Sequence, residues 1–301
     1  MNPLRHFLLV PGLLLLASPV ARPQSPQPAR GFTVPALYHV GYWVRDVAKS
    51  RAFYSQYLGF EEPYHLNTPE GTLQMVVFKV NERQVIYSFN NPSRIKPNGD
   101  NLDHLGLETD NAVAMHDWLV ARGVKGVKPA APKPGRIGDL IFSVTDPDGR
   151  SFEVTQLEPQ GQLMLHQGKS LPATRVSHHL RSATITVADV AASLHFYRDG
   201  LGFRVMPDVA GEPAGSVCVQ VPDGTDFLRL VKSDHSPAER AVPEYCLTVA
   251  DAAQTAALLN SRASAAGFAP PTPVTTGPGG RQEISCIDPD GTRVVLSSAR
   301  P

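Results

Sequence analysis

The chain has 301 residues, with 28 Lys and Arg against 28 Asp and Glu. A formal net charge of zero removes the electrostatic reason to expect nucleic acid or an anionic membrane surface as a partner. Hydrophobic residues at 42% supply material for about two cores, and 28 Pro with 24 Gly point to many turns and short elements. The three cysteines, Cys218, Cys246 and Cys286, lie far apart, which excludes a disulfide scaffold and a zinc ribbon.

In chain order, Arg5 and His6 precede an apolar run from Phe7 to Ala17. That run falls short of the ~20 residues a membrane span needs and suits the core of a signal peptide. Residues 1–21 are therefore expected to be a signal peptide, and residues 22–35 a flexible Pro-rich tether. An exported protein follows, periplasmic or extracellular, with no membrane contact after cleavage.

Leu37–Val44 is β-rich, and Asp46 is a plausible N-cap for a helix over Val47–Tyr57 that Gly59 stops. Strands are predicted at Thr72–Val80 and Gln84–Phe89. After the Pro- and Asn-rich stretch Asn90–Asn101 the pattern restarts with a strand at Leu102–Glu108 and a helix at Asn111–Arg122. Asp139–Val144 and Ser151–Leu157 then flank the turn Asp146-Pro147-Asp148-Gly149. Each half-domain reads β-α-β-β-β, used twice per domain.

The whole plan recurs. Val44-Arg45-Asp46-Val47-Ala48 matches Val187-Ala188-Asp189-Val190-Ala191 at an offset of 143, as Phe53-Tyr54 matches Phe196-Tyr197 and Leu58-Gly59-Phe60 matches Leu201-Gly202-Phe203. Asp146-Pro147-Asp148-Gly149 meets Asp288-Pro289-Asp290-Gly291 at 142. A period this long marks a domain duplication. The fold class is α+β, with one domain over residues 36–158, a linker over 159–179 and a second domain over 180–298.

Tyr38-His39-Val40, Asp103-His104-Leu105 and the run Asp146-Pro147-Asp148-Gly149-Arg150-Ser151-Phe152-Glu153 resemble the vicinal oxygen chelate superfamily. That superfamily includes glyoxalase I, extradiol dioxygenases, fosfomycin-resistance enzymes and bleomycin-binding proteins. The resemblance covers nearly all of the chain after the tether, and it implies paired β-α-β-β-β modules curled into a cup around a metal.

The residues support a ligand set of their own. His39 lies in the first strand of the first half-domain, His104 in the first strand of the second, and Glu153 in the last strand. Spacings of 65 and 49 residues exclude a local loop site. Two imidazoles and a carboxylate with open positions suit one divalent ion, Fe(II) foremost, with Mn(II), Ni(II) or Zn(II) also fitting. Each His is followed two positions later by a Gly, Gly41 or Gly106, read as leaving room above the metal. The second copy has Ser182 in place of His39, Glu244 or Tyr245 in place of His104, and Val295 in place of Glu153. It cannot hold a metal in the same way and is expected to be a degenerate structural partner.

Departures from the subfamilies narrow the chemistry that the resemblance implies. Tyr87 stands at about the place of the fourth ligand of glyoxalase I, a Glu, and is the candidate catalytic side chain. The extradiol motif has a Tyr where this chain has Ser143, and a His where it has Pro134-Gly135-Arg136. The expected function is a metal-dependent enzyme acting on a small oxygen-chelating substrate, an oxygenase ahead of a glyoxalase-type lyase or isomerase, with a small-molecule binding protein as the other class. The partners expected are that substrate and at most a second copy in a homodimer. His166, His178 and His179 read as linker residues rather than a second metal site, and Gly277-Pro278-Gly279-Gly280 as a hairpin closure.

Overall fold

A computed structural model describes residues 30–95, 101–207, 210–233 and 244–298. The expected signal peptide and most of the tether lie outside the described residues. Residues 30–35, assigned above to the flexible tether, are packed: Phe32 and Val34 are buried, and Arg30 pairs with Asp223. The two apolar side chains alternate toward the core, and the Thr33 and Val34 N–H groups donate to Asp110 at 2.6 Å and Asp223 at 2.8 Å. No described helix is long and apolar enough to cross a membrane.

The first domain begins with β1 (Leu37–Val44), α1 (Val47–Arg51), β2 (His65–Asn67), β3 (Leu73–Lys79) and β4 (Val85–Asn90). It continues with β5 (Leu102–Glu108), α2 (Ala112–Ala121), β6 (Lys133–Pro134), β7 (Leu140–Thr145) and β8 (Ser151–Gln156). These strands form one eight-stranded mixed sheet in the order β2-β3-β4-β1-β5-β8-β7-β6. After a short α3 (Gln162–Leu165), the second domain repeats the plan. It contains β9 (His179–Val187), α4 (Val190–Leu194), β10 (Arg204–Val205), β11 (Val217–Gln220), β12 (Phe227–Lys232) and β13 (Glu244–Val249). α5 (Ala252–Ala266), β14 (Thr275–Thr276), β15 (Gln282–Ile287) and β16 (Arg293–Ser298) complete a sheet of the same order. The short edge strands β2 and β6 had no sequence signal, because two or three residues are too few to show a period. Gly277–Gly280 does close the β14–β15 hairpin.

Asp46 and Asp189 are the expected N-caps; each Oδ1 accepts backbone N–H groups of the first turn, at 2.8 Å from Ala48 and from Ala191. The helix predicted over Val47–Tyr57 is α-helical only to Arg51 and continues as a π-helix over Ala52–Tyr57. The second copy does the same over His195–Gly200. Phe53, Tyr54 and Tyr57 all enter the core, and their i, i+1, i+4 spacing reads as one face of an ordinary helix, so the wider turn leaves no mark in the sequence.

The repeated motifs meet at the interface between the domains. Tyr54 donates to Asp288 Oδ2 at 3.0 Å, and Tyr197 donates to Asp146 Oδ2 at 2.9 Å. The other oxygen of each aspartate closes its own turn: Asp146 Oδ1 accepts from the Arg150 N–H at 2.7 Å and Asp288 Oδ1 from the Thr292 N–H at 2.8 Å. Asp290 and Asp148 accept the backbone N–H groups of Arg45 and Ala188 across the same boundary. The apolar faces of both sheets form one continuous core.

Candidate metal centre

In the antiparallel pairing of β1 with β5, His39 stands opposite Gly106 and Gly41 opposite His104. In the parallel pairing of β5 with β8, Gly106 stands opposite Glu153. His39, Gly106 and Glu153 thus share one cross-strand row, and His104 projects from the same face of β5. One ligand atom from each of His39, His104 and Glu153 lies within 4.8 Å of the others, the sole such His, Cys, Asp or Glu group among the described residues. The linker histidines take separate partners: His166 Nδ1 meets the Gln162 carbonyl, His178 meets Arg175, and His179 pairs with Asp226.

The register gives the two glycines a different use from the one expected. A Cβ on Gly106 would overlap the His39 imidazole. One on Gly41 would fall 2.9 Å from Phe89 Cε2 and 3.5 Å from His104 Cε1. Each glycine makes room for the opposing strand's side chains rather than above the ion, because the antiparallel register sets the Gly of one strand against the His of the other. Glu108, two residues further along β5, is buried in an ion pair with Arg83 and takes no part in the triad.

His39 is completely buried, and neither ring nitrogen has a hydrogen-bond partner. Burial, reinforced by His104, holds its pKa well below the ordinary histidine range, so the ring is neutral. Burial also opposes a charge on His104, but the Asp103 hydrogen bond and the nearby Glu153 outweigh it and raise its pKa. Asp103 Oδ2 lies 2.6 Å from His104 Nδ1. A carboxylate can only accept, so Nδ1 carries a proton, and once the ring is neutral Nε2 is the nitrogen with the lone pair. Burial raises the pKa of Glu153 against the pull of His104. An orphaned buried imidazole, a second imidazole oriented by a carboxylate and a buried glutamate in one cluster fit a divalent ion.

The sheet curls around a cavity of about 250 Å³ over this cluster. Leu66, Met75, Phe89, Ile137 and Ile141 make its walls mainly apolar, and Arg136 is its cation. Tyr87 lines it with its ring 4.3 Å from that of His39. The Tyr87 hydroxyl donates to Tyr38 Oη at 3.1 Å, and Tyr38 Oη lies 3.5 Å from Asp139 Oδ2. Burial pushes the Asp139 carboxyl up to about 6.

Tyr38 and Asp139 were not singled out from sequence. Strict alternation puts Tyr38 on the face opposite His39, but β1 carries a bulge between Leu37 and His39 that turns both side chains to the concave side. Asp103 had a visible signal, since it directly precedes His104.

In the second domain Ser182 stands opposite Cys246 and Thr184 opposite Glu244, while Cys246 pairs with Val295. Glu244, not Tyr245, therefore occupies the place of His104. Tyr245 points into the core between the domains, where its hydroxyl donates to Tyr54 at 3.4 Å.

No curated protein sequence matches the chain. Among solved structures it is similar to the Mn(II)-bound glyoxalase from Novosphingobium aromaticivorans, at 17% identity and a TM-score of 0.63 over 90% of this chain and 84% of that one. A variant of homoprotocatechuate 2,3-dioxygenase from B. fuscum is similar at 16% identity and a TM-score of 0.65, covering 91% of this chain and 74% of that one. The 2,3-dioxygenase LapB from Pseudomonas sp. KL28 is similar at 15% identity and a TM-score of 0.61, covering 89% and 93%. At these identities the likeness speaks for the fold. The sequence itself matches one family twice, over residues 36–154 and 177–296, the two segments that build the two sheets. The chain belongs to the glyoxalase/bleomycin resistance protein/dioxygenase superfamily, as a tandem of two such domains.

Proposed function

We propose that the protein is a metal-dependent enzyme in which His39, His104 and Glu153 hold one divalent ion, Fe(II) foremost, and which acts on a small substrate carrying two oxygen donors. The observation that carries this reading is the His39 imidazole: fully buried, neutral and without a partner on either nitrogen, it sits within reach of the two other ligand atoms. An ion bound there supplies a Lewis acid that holds substrate oxygens and stabilises negative charge on them.

The chain's own residues do the rest. Asp103 keeps the His104 proton on Nδ1. The apolar walls exclude water, and the cavity, below the usual ~300–1,000 Å³ of drug-sized pockets, admits a molecule of about one ring. Tyr87, Tyr38 and Asp139 form a path from the cavity wall to a buried carboxyl, able to hold a proton at Tyr87 Oη or Asp139. Ionisable groups beside the ligand cluster favour an enzyme over a passive binding protein.

An oxygen-dependent reaction is favoured over glyoxalase-type isomerisation. The position that the family resemblance assigns to a fourth carboxylate holds Tyr87, whose hydroxyl is engaged with Tyr38. Three protein ligands leave open positions for a chelating substrate and one more molecule. The test is oxygen uptake by Fe(II)-loaded protein across catechols and oxo-acids, with Glu153→Ala as control. Uptake that Glu153→Ala removes is expected. No uptake, with tight reversible binding of unchanged compounds, would favour the binding protein.

Asp103→Ala is expected to weaken metal affinity by about 10–100-fold while leaving one site per chain, measured by chelator competition. An unchanged affinity would remove Asp103 from the site.

A further inference from the structure

The second cup is not a collapsed copy of the first. It encloses a cavity of about 370 Å³, larger than the one over the triad. Four of its charges form a closed network. Arg229, which the strand register places where Tyr87 stands in the first domain, donates to Glu212 at 2.5 and 3.1 Å and to Glu244 at 3.2 Å. Arg293 donates to the other oxygen of Glu244 at 2.9 Å.

Two charged side chains are left over. Arg181 lines the cavity with its guanidinium over the Phe227 ring, 5.3 Å from the centroid, and has no hydrogen bond or ion pair to any described residue. It occupies the position of Tyr38, and the same bulge recurs here, since Cys246 pairs with Ser182 and Leu247 with Leu180. Alternation would have sent Arg181 to the apolar face; the bulge re-aims it into the cup beside Ser182. Glu283 lines the same cavity, and its carboxylate likewise has no partner among the described residues. A Cβ on Gly277 would overlap that carboxylate, so the hairpin backbone gives way to admit it. No hydrogen bond or ion pair joins the two opposite charges; Glu283 acts on Arg181 only through space, although both are partly withdrawn from water. Burial pushes the Cys218 and Cys246 thiols up to about 11 and about 12, so neither supplies a thiolate ligand near neutrality.

We propose that this cup binds a small carboxylate carrying a cationic group at its other end, the carboxylate on Arg181 and the cation on Glu283. A guanidinium presents a planar fork of donors to a carboxylate, and the ligand would bridge two charges that the fold holds apart. The site is independent of the metal cluster and of the reaction proposed there.

Calorimetric titration of the full chain with γ-aminobutyrate, butyrate and butylamine tests this. γ-Aminobutyrate is expected to bind best, butyrate more weakly and butylamine weakest. Arg181→Met is expected to weaken γ-aminobutyrate binding by about tenfold or more. Glu283→Gln should erase the advantage of γ-aminobutyrate over butyrate, and His104→Ala should leave both affinities unchanged. Thermal unfolding of each variant checks that it is folded. Three results would overturn the proposal: no binding of any of the three at millimolar concentration, an affinity unaffected by Arg181→Met in folded protein, or binding lost with His104→Ala.

Discussion

His104→Ala is expected to abolish stoichiometric metal binding, whereas Ser182→Ala leaves one ion per chain. The variant removes one of three clustered ligand atoms and leaves Asp103 without its imidazole. Ser182 stands in the cup that has no such cluster among the described residues. The same geometry sets the pH dependence. His39 is already neutral, so protons do not compete for it until well into acid. His104 has a raised pKa and holds a proton at a higher pH than the usual ~6.5. Binding must displace the second ring proton, the one on Nε2, so affinity falls as pH drops through the raised His104 value. It falls further in acid as Glu153, also raised by burial, takes up its proton. Protons are released on binding wherever His104 is charged. Calorimetry in buffers of different ionisation enthalpy counts the proton. Equal loss of metal from both variants, or an affinity flat across neutral and mildly acid pH, would contradict the assignment.

Gly106→Ala is expected to remove metal binding although all three ligands are still present. The added methyl would overlap the His39 imidazole, which is fully buried and closed in by the rings of Tyr38, Tyr87 and His104. The ring has nowhere to retreat, and overpacking of this kind typically costs about 1–3 kcal/mol of stability. Gly41→Ala meets the edge of Phe89, a partly exposed side chain that can move, and should keep stoichiometric binding. Metal content and thermal unfolding of the two variants separate these outcomes. A Gly106→Ala protein that binds metal like the parent would show that His39 is not held as described.

Most of this architecture was legible because the chain states it twice. The Asp-capped helices, the Leu-Gly-Phe stops and the Asp-Pro-Asp-Gly turns fall at matching offsets, and the three residues drawn from β1, β5 and β8 do come together. The features that escaped share a cause: they break a period. A single bulge residue in β1 and in β9 moves Tyr38 and Arg181 to the face that alternation denies them. The π-helical turns hide inside an apparently ordinary helix. Whether Glu244 or Tyr245 matches His104 turned on the length of the stretch between β9 and β13, since Ser182 and Glu244 lie closer together along the chain than His39 and His104 do, so a count along the chain could not decide it. Phe32 and Val34 were passed over because the neighbouring prolines dominated the reading of residues 22–35.

The reciprocal tyrosine–aspartate bonds bear on how the two cups came to differ. Residue i of one unit meets residue j of the other while j meets i, which is the pattern of an isologous, two-fold interface between identical subunits. Here both partners lie on one polypeptide. In a symmetric dimer every change is made twice, so a replaced ligand empties both sites at once. Covalent linkage removes that constraint. Asp288 and Tyr197 keep the second unit as the other half of the shared core, while His39, His104 and Glu153 remain in the first and Arg181, Arg229 and Glu283 have come to line the second. The interface preserves the symmetry that the interiors have lost.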